Sequence, residues 1–187
     1  MQCYHGILSM NHSIQGQLEI NNQKIDFTGG RGYIEKDWGR SFPSGYIWMQ
    51  SNHFSEPNIS LKSSIAKIPW LGSSFVGFIA GVWLRDRLIE FTTYNFTRLR
   101  HSSVDEKKVE VVMENFRHKL EIIAYRSKST SLVSPIQGMM DGRIEESMTS
   151  RIEVVLTDKK NKKILLEDTG KNAGLEVAGK FEEILVS

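Results

Sequence analysis

The chain has 187 residues, of which 40% are hydrophobic and 25% are charged, a composition that fits a folded globular domain and excludes a disordered chain. Its 24 Lys and Arg residues nearly balance 22 Asp and Glu residues, so a net charge of +2 gives no support to a general nucleic-acid or anionic-membrane binder. The single cysteine, Cys3, excludes an intrachain disulfide and a cysteine zinc cluster.

Apolar residues recur with a period of two along most of the chain, which is the pattern of β-strands. In 13–20, for example, Leu18 and Ile20 share one face, and the pair Asn21-Asn22 that follows is typical of a hairpin turn. The predicted strands are, in chain order, 2–10, 13–20, 23–28, 31–37, 45–54, 59–68, 74–84, 88–97, 108–115, 118–126, 142–157, 163–168 and 174–186.

The strand pattern predicts an all-β antiparallel fold with very little helix. No window shows a long apolar stripe at helical spacing, so we expect no helix longer than about three turns. Many short strands joined by short turns are typical of an antiparallel barrel or sandwich, and a barrel can enclose an apolar cavity. We predict a single β domain over 1–187. We also predict a homodimer, because 45–54 and 74–84 are long for isolated edge strands.

Two sequence signals bear on location. The first residues lack the basic, apolar and small-residue order of a signal peptide. The longest apolar run, 75–84, is far shorter than the roughly 18 residues that a membrane-spanning helix needs, and it contains Gly77 and Gly81. We therefore expect a cytoplasmic protein without an integral membrane segment.

Acids, aromatic rings and amides are concentrated on two predicted strands within 29–54. By alternation, Tyr33, Glu35 and Asp37 share one face of the first of these strands. The next strand presents aromatic and amide side chains on a single face: Tyr46, Trp48, Gln50 and Asn52. If both faces point into a barrel interior, these side chains meet in one cavity.

Such a cavity suits acid chemistry on an alkene. A carboxylic acid in an apolar site has a raised pKa and can donate a proton near neutral pH. Trp and Tyr rings can stabilise a neighbouring carbocation by cation–π attraction. A structural interpretation stays open, in which Trp38 plugs a barrel end and Glu35 pairs with a nearby basic residue. In that interpretation Gln50 and Asn52 satisfy backbone groups.

Three other classes of site lack a sequence pattern. The glycines within 29–32 do not form a GxxxxGK[ST] loop, so we expect no nucleotide site. None of the five histidines pairs at HxH or HxxxH spacing, so we expect no metal site. No serine lies in a GxSxG elbow, so a hydrolase triad is unsupported.

The same segment resembles the signature of tocopherol cyclase-like proteins. The matching strings are YIEKDWG at 33–39, FP at 42–43 and WMQSNHF at 48–54. Plant cyclases of this family carry a similar series, with Asn where this chain has Asp37. The family in turn resembles the carotenoid hydratase group, whose members are built from two lipocalin-type β units.

This resemblance implies a lipocalin-like antiparallel barrel, or half of a paired barrel, corresponding to the carboxy-terminal part of a longer family chain. It implies binding of an apolar prenylated or lipid-like molecule, with acid-catalysed cyclisation or hydration of an alkene. It implies no cofactor and no metal. A lipid carrier without catalysis and a β interaction domain are the alternatives.

The implied chemistry assigns roles to the residues of the segment. Either Glu35 or Asp37 is the expected proton donor. The expected ligand-binding residues are Tyr33, Trp38, Tyr46, Trp48, Gln50 and Asn52. Among them, the aromatic rings contact the apolar or cationic part of the ligand, and Gln50 and Asn52 orient a phenol or a water molecule.

Overall fold

A computed structural model describes residues 3–187 of the chain. Strands make up 72% of the chain and helix 2%, which confirms the all-β antiparallel prediction. The strands are β1 (Cys3–Ser13), β2 (Gln17–Ile20), β3 (Gln23–Asp26), β4 (Arg31–Gly39), β5 (Gly45–Ser51), β6 (Ile59–Trp70), β7 (Ser73–Leu84), β8 (Arg87–Thr92), β9 (Arg98–Val104), β10 (Lys108–Glu114), β11 (His118–Tyr125), β12 (Thr130–Ile136), β13 (Met139–Asp158) and β14 (Lys163–Gly179). One short 3₁₀ helix, Phe181–Ile184, follows β14.

Several predicted strands need correction. The prediction omits β9 and β12, whose sequences carry mainly polar or exposed side chains. The predicted strand 88–97 ends at Thr92, and 163–168 is continuous with the next strand in β14. The predicted strand 174–186 ends at Gly179, where a left-handed φ of 66° ends the extended backbone before the 3₁₀ helix. The predicted first strand begins at residue 2, which lies outside the described residues.

Two tight turns have the backbone geometry that a β-hairpin requires. Asn21 and Asn22 both have positive φ angles, 51° and 62°, between β2 and β3. Arg85 and Asp86 repeat this pattern, with 49° and 68°, between β7 and β8. Two successive left-handed residues match the right-handed twist of the flanking strands, so both hairpins close with direct pairing.

Ten strands form one antiparallel sheet. Its order is β8-β7-β6-β5-β14-β13-β11-β10-β9, and β12 pairs with the first half of β13. The 20-residue β13 pairs with β11 along its second half, and its register with β14 shifts near Ser147 and Ser150. These bulges bend the long strand between its two sets of neighbours.

The hydrophobic core lies against one face of this sheet. Because strands from both ends of the sheet contribute to one cluster, the sheet curves around it. Its buried members include Ile47, Leu61, Val82, Phe91, Val111, Leu120, Ile122, Val154 and Leu156. The carboxy-terminal segment completes the core, since Ile184 is fully buried and the backbone of Val186 pairs with that of Ser102 in β9.

The first four strands stand apart from the large sheet. β1 pairs with β4, and β2 pairs with β3 as a smaller hairpin. Met10 of β1 is buried, and its side chain lies over Gly81 of β7. The β1–β4 ribbon therefore packs on the face of the large sheet opposite the core.

The reason given for a homodimer is wrong, although the homodimer stays a prediction. β5 lies between β14 and β6, and β7 lies between β6 and β8, so neither is an edge strand. Exposed apolar side chains lie elsewhere, notably on the β2–β3 hairpin at Leu18, Ile20 and Ile25. In the described part of the chain, no helix is long and apolar enough to cross a membrane.

We expect the β2–β3 hairpin to drive self-association. Leu18 and Ile25 face each other across the hairpin and are 58% and 39% exposed. The double variant Leu18→Lys/Ile25→Lys should lower the sedimentation coefficient at high protein concentration, because it removes apolar surface that association would bury. Ile164→Lys, at an exposed apolar position on β14, is the control. A wild-type protein that sediments as a monomer at every concentration would contradict the prediction.

Candidate functional site

A cavity of about 610 Å³ lies between the β1–β4 ribbon and the large sheet. Alternation along β5 places it, because Ile47 and Met49 point into the core whereas Tyr46 and Trp48 point to the opposite face. Side chains from both predicted faces, among them Glu35, Asp37, Tyr46 and Trp48, therefore line one cavity. The hydrophobic core packs on the other face of the sheet, so the cavity lies on the side opposite the core.

The strand register sets the floor of the cavity in three rows. The first row crosses four strands and holds Glu176, Trp48, Ser64 and Ile79. The second holds Tyr46, Ala66 and Gly77, and the third pairs Ile68 with Phe75. All of these residues line the cavity. The floor thus becomes more apolar towards the β6–β7 hairpin.

A cluster of polar side chains closes the other end of the cavity. His5 Nδ1 donates a hydrogen bond to Asp37 Oδ1 at 2.5 Å, and Lys62 Nζ donates to His5 Nε2. These two contacts assign the ring proton of His5 to Nδ1. Glu35 Oε2 lies 3.6 Å from His5 Nε2 and accepts a hydrogen bond from the Tyr33 hydroxyl at 2.5 Å. We call these five residues the lysine–histidine cluster.

Lys62 is fully buried in the middle of β6. Burial lowers the pKa of its amine to about 7, although the nearby Glu35 and Asp37 carboxylates act in the opposite direction. A buried ammonium group needs compensating negative charge, which Glu35 and Asp37 of the β1–β4 ribbon supply. The cluster therefore ties the β1–β4 ribbon to the sheet.

A second acidic group lies on the cavity floor. Glu176 accepts a hydrogen bond from the Tyr46 hydroxyl at 2.7 Å, and Glu146 of β13 is its direct cross-strand neighbour. Burial raises the pKa of Glu176 to about 7, against the Tyr46 hydrogen bond, and the neighbouring acids add to the rise. Burial, followed by the charge of Glu35, also raises the pKa of Glu146. Near neutral pH, protonated Glu176 is a substantial species.

The Trp48 ring rests on a glycine. Gly174 lies on β14 two residues before Glu176, the cross-strand partner of Trp48. A Cβ atom added to Gly174 would lie 2.6 Å from Cζ3 and 2.8 Å from Cη2 of the indole. The absence of a side chain there allows the ring to pack directly against the strand backbone. The indole Nε1 is buried and has no hydrogen-bond partner among residues 3–187.

Aromatic rings also form the rim of the cavity. Trp38 of β4 stacks on Tyr4 of β1 with ring centroids 5.5 Å apart, and it is 48% exposed. Phe42 packs edge-on against Tyr46 with centroids 5.8 Å apart. Tyr94 lines the cavity and is 79% exposed. These rings leave an apolar opening to the surface.

Of the predicted site residues, Glu35, Asp37, Trp38, Tyr46 and Trp48 line the cavity. The other three lie outside its lining. Tyr33 donates a hydrogen bond to Glu35 from outside the cavity. Gln50 is the cross-strand neighbour of Lys62. Asn52 donates a hydrogen bond to the backbone oxygen of Arg31 at 3.1 Å. The contact of Asn52 is the structural one that the alternative interpretation describes.

Sequence reasoning missed the most unusual titratable groups of the cavity. Lys62 interrupts an apolar strand, and that irregularity is a signal that could have singled it out. Glu176 and His5 carry no such signal, because their importance depends on pairings with strands far away in the sequence. Cys3 also lines the cavity, where burial, followed by the charge of Asp37, raises the pKa of its thiol to about 11.

Three side chains of the cluster are of metal-binding type. One ligand atom from each of His5, Glu35 and Asp37 lies within 4.8 Å of the others. The two ring nitrogens of His5 are already engaged, however, by Asp37 and by the buried amine of Lys62. The Lys62 side chain thus occupies the side of the histidine where an ion would bind, and we assign no metal to the cluster.

The buried position of Lys62 predicts a pH-dependent effect of removing its charge. Burial lowers the pKa of the amine from 10.5 to about 7, so the folded state disfavours the protonated form. This penalty is full below pH 7 and disappears as the pH rises past 10.5. The melting temperature of Lys62→Met relative to wild type should therefore be more favourable at about pH 6 than at about pH 9.

The matched control is Lys24→Met, because Lys24 is exposed on β3. Its melting-temperature difference should vary little between the two pH values. Equal pH dependence in both variants would contradict the assignment of a buried amine at Lys62.

The contact between Gly174 and Trp48 predicts a stability effect. Gly174→Ala should lower the free energy of unfolding by roughly 1–3 kcal/mol, because the new methyl group displaces a packed ring. Gly6→Ala is the control, since the added Cβ there would meet Trp38 at an ordinary 3.4 Å. Urea denaturation measures both, and equal midpoints would show that the indole does not rest on Gly174.

Comparison with known proteins identifies relatives of the chain. A family model described as "Tocopherol cyclase-like" matches residues 5–179. The chain is similar to "Probable tocopherol cyclase, chloroplastic" of Oryza sativa subsp. japonica, with 25% identity over 175 residues that cover 88% of this chain and 37% of the rice protein. It is similar to "Tocopherol cyclase, chloroplastic" of Zea mays, with 25% identity over 175 residues that cover 88% of this chain and 36% of the maize protein. No solved structure matches the chain.

The match extends far beyond the motif segment. It begins in β1, includes the lysine–histidine cluster and ends with β14, so both acidic groups of the cavity lie within it. The chain spans little more than a third of the length of these curated relatives. Because the family model matches residues 5–179, the resemblance seen in the sequence is confirmed, and the chain belongs to the tocopherol cyclase-like family.

Proposed function

We propose that the cavity binds a prenylated molecule with a polar head and an apolar tail, and that the chain catalyses cofactor-free, acid-catalysed cyclisation or hydration of an alkene in that molecule. The observation that carries the proposal is the change in polarity along the cavity. Its polar end holds His5, Glu35 and Asp37, and its apolar end holds Ile68 and Phe75.

The length of the cavity floor fits such a molecule. Ser64 and Ile68, which both line the cavity, are four residues apart on β6, which corresponds to roughly 13 Å in an extended strand. A hydroxylated ring at the polar end would place its prenyl chain along Ala66 and Ile68. Burial of that chain would supply about 0.8 kcal/mol for each methylene group.

The names of the rice and maize relatives support the reaction class, since one is named a probable tocopherol cyclase and the other a tocopherol cyclase. Those proteins are longer than this chain, so the activity of the whole protein is carried over only as part of this proposal. In the proposal, Glu35 and Asp37 exchange protons with the ligand, and Trp38 and Trp48 stabilise its apolar or cationic part.

The remaining predicted ligand contacts fit the proposal indirectly. The Tyr33 hydroxyl donates a hydrogen bond to Glu35 and so orients that acid towards the cavity. Gln50 borders the buried amine of Lys62, and its Nε2 has no hydrogen-bond partner among residues 3–187. Asn52 fixes the end of β5 to the ribbon. Gln50 and Asn52 would orient a phenol or a water molecule through a small shift of either side chain.

Filling the cavity should abolish binding. Ser64 points into the middle of the cavity, so Ser64→Trp places an indole where the ligand would lie. We expect wild-type tryptophan fluorescence to change on titration with a geranylgeranyl-substituted hydroquinone, and Ser64→Trp to lose at least about 10-fold in affinity. Ser131→Trp, on the exposed surface of β12, should bind as wild type does. Equal affinity in the two variants would contradict binding in this cavity.

Product analysis distinguishes a catalytic function from that of a lipid carrier. Protonation of an alkene carbon by the protein in D₂O should give a chroman or hydrated product with one carbon-bound deuterium, which mass spectrometry detects. Binding without any product would leave the carrier function and overturn the catalytic part of the proposal. A wild-type protein that neither binds the hydroquinone nor forms a product would overturn the proposal as a whole.

A further inference from the structure

Four carboxyl groups line the cavity, and their surroundings differ. They belong to Glu35, Asp37, Glu146 and Glu176. Asp37 contacts His5, which in turn contacts the buried amine of Lys62, and Glu35 lies beside the same histidine. These two acids therefore face groups that can carry positive charge.

Among the described residues, the charged groups that act on Glu176 are all acidic. Glu146 lies next to it on β13, and Glu35 and Asp37 face it from β4. Tyr46 of β5 donates the one side-chain hydrogen bond that the described residues give to this carboxyl group. A proton is retained most readily by an acid that is buried and surrounded by negative charge. Burial, with these neighbours, raises the pKa of Glu176 to about 7.

Trp48 is the direct cross-strand neighbour of Glu176, and both line the cavity. Directly opposed side chains on one face of a sheet lie about 5 Å apart. An alkene held over this row would therefore lie within reach of the carboxyl proton and beside the indole. A carbocation formed there would be stabilised by the ring.

We propose that Glu176 is the acid that protonates the alkene, with Tyr46 as the residue that positions its carboxyl group and Trp48 as the ring that stabilises the carbocation. This assignment rests on the proposed function and names the donor within it. Glu35 and Asp37 then act as proton acceptors at the polar end of the cavity.

The step balances within the cavity. The π electrons of the alkene form a new C–H bond with the Glu176 proton, which leaves a carboxylate and a cation on the more substituted carbon. A phenol or water oxygen forms the C–O bond, and its proton passes to Glu35 or Asp37. Transfer of that proton to Glu176 through solvent restores the starting state.

A glutamine at position 176 tests the acidity of Glu176 while it keeps the shape of the side chain. Glu176→Gln keeps the acceptor for Tyr46 and has no acidic proton, so it should bind the geranylgeranyl hydroquinone as wild type does but convert it at least about 100-fold more slowly. Glu182→Gln, on the exposed 3₁₀ helix, should retain the wild-type rate. A Glu176→Gln variant that converts substrate within about threefold of wild type would overturn the assignment.

The pH profile tests the role of Tyr46. Turnover by wild type should fall as the pH rises through about 7, because Glu176 loses its proton there. The Tyr46 hydrogen bond lowers the pKa of Glu176, so Tyr46→Phe should move this falling limb to higher pH. Asp37→Asn removes a negative charge that raises the pKa of Glu176, so it should move the limb in the opposite direction, to lower pH. A limb that stays fixed or moves to lower pH with Tyr46→Phe would overturn the assignment.

The outcomes also distinguish this assignment from the proposed function. If Glu176→Gln converts substrate at the wild-type rate, the assignment of Glu176 as proton donor is overturned and the proposed function stands. Wild-type protein that binds the hydroquinone without converting it overturns the donor and leaves only the carrier. If Glu176→Gln fails to fold, the pH profile of Tyr46→Phe still decides the question.

Discussion

The pairing of β14 with β5 is the constraint on which the rest of the structure depends. It joins Trp48 to Glu176 across 128 positions of sequence, in a register that also places Leu175 opposite Met49. Leu175 and Met49 point into the core, whereas Trp48 and Glu176 point into the cavity. A slip of one residue would exchange the two faces and bury the acid among aliphatic side chains. Core packing therefore fixes the strand register of the site. No further contact is needed to align Glu176 with Trp48.

The β1–β4 ribbon turns this patterned sheet face into a cavity, and the lysine–histidine cluster holds the ribbon in place. Lys62 of the sheet donates a hydrogen bond to His5 of β1, and His5 donates one to Asp37 of β4. A buried amine is costly without acidic neighbours, and the ribbon supplies Glu35 and Asp37. The same contact thus stabilises the closed arrangement and divides the cavity electrostatically. Its polar end sets two carboxylates against a buried amine, while the floor around Glu176 contains acids whose charges repel one another.

Period-two alternation was sufficient to predict the β fold and the shared faces of Tyr33, Glu35 and Asp37 and of Tyr46 and Trp48. It could not tell which face of β5 meets the core, because Ile47 and Tyr46 are both suited to burial. Nor could it find Glu176 or His5, since their partners are set by long-range strand pairing. Asn52 shows the same limit in another way, because its amide lies on the predicted face but donates a hydrogen bond to the backbone of Arg31 and lies outside the cavity lining. Local spacing predicts which side chains share a face, and only tertiary pairing decides what that face contacts.

Asp37 is where the chain departs from the plant motif that it resembles, and its contacts explain why an acid fits there. An asparagine side chain could accept the same hydrogen bond from His5 Nδ1, so the geometry alone does not require a carboxylate. The charge matters because Lys62 is fully buried on the other side of the histidine, and Asp37 is one of the two acids that favour its protonated form. With asparagine at this position, Glu35 would be left as the sole acid of that pair, and the amine would lose its proton more readily. The residue at position 37 thus biases the charge state of a lysine that it does not touch, by coulombic attraction across the imidazole that lies between them, whereas burial remains the larger influence on that lysine.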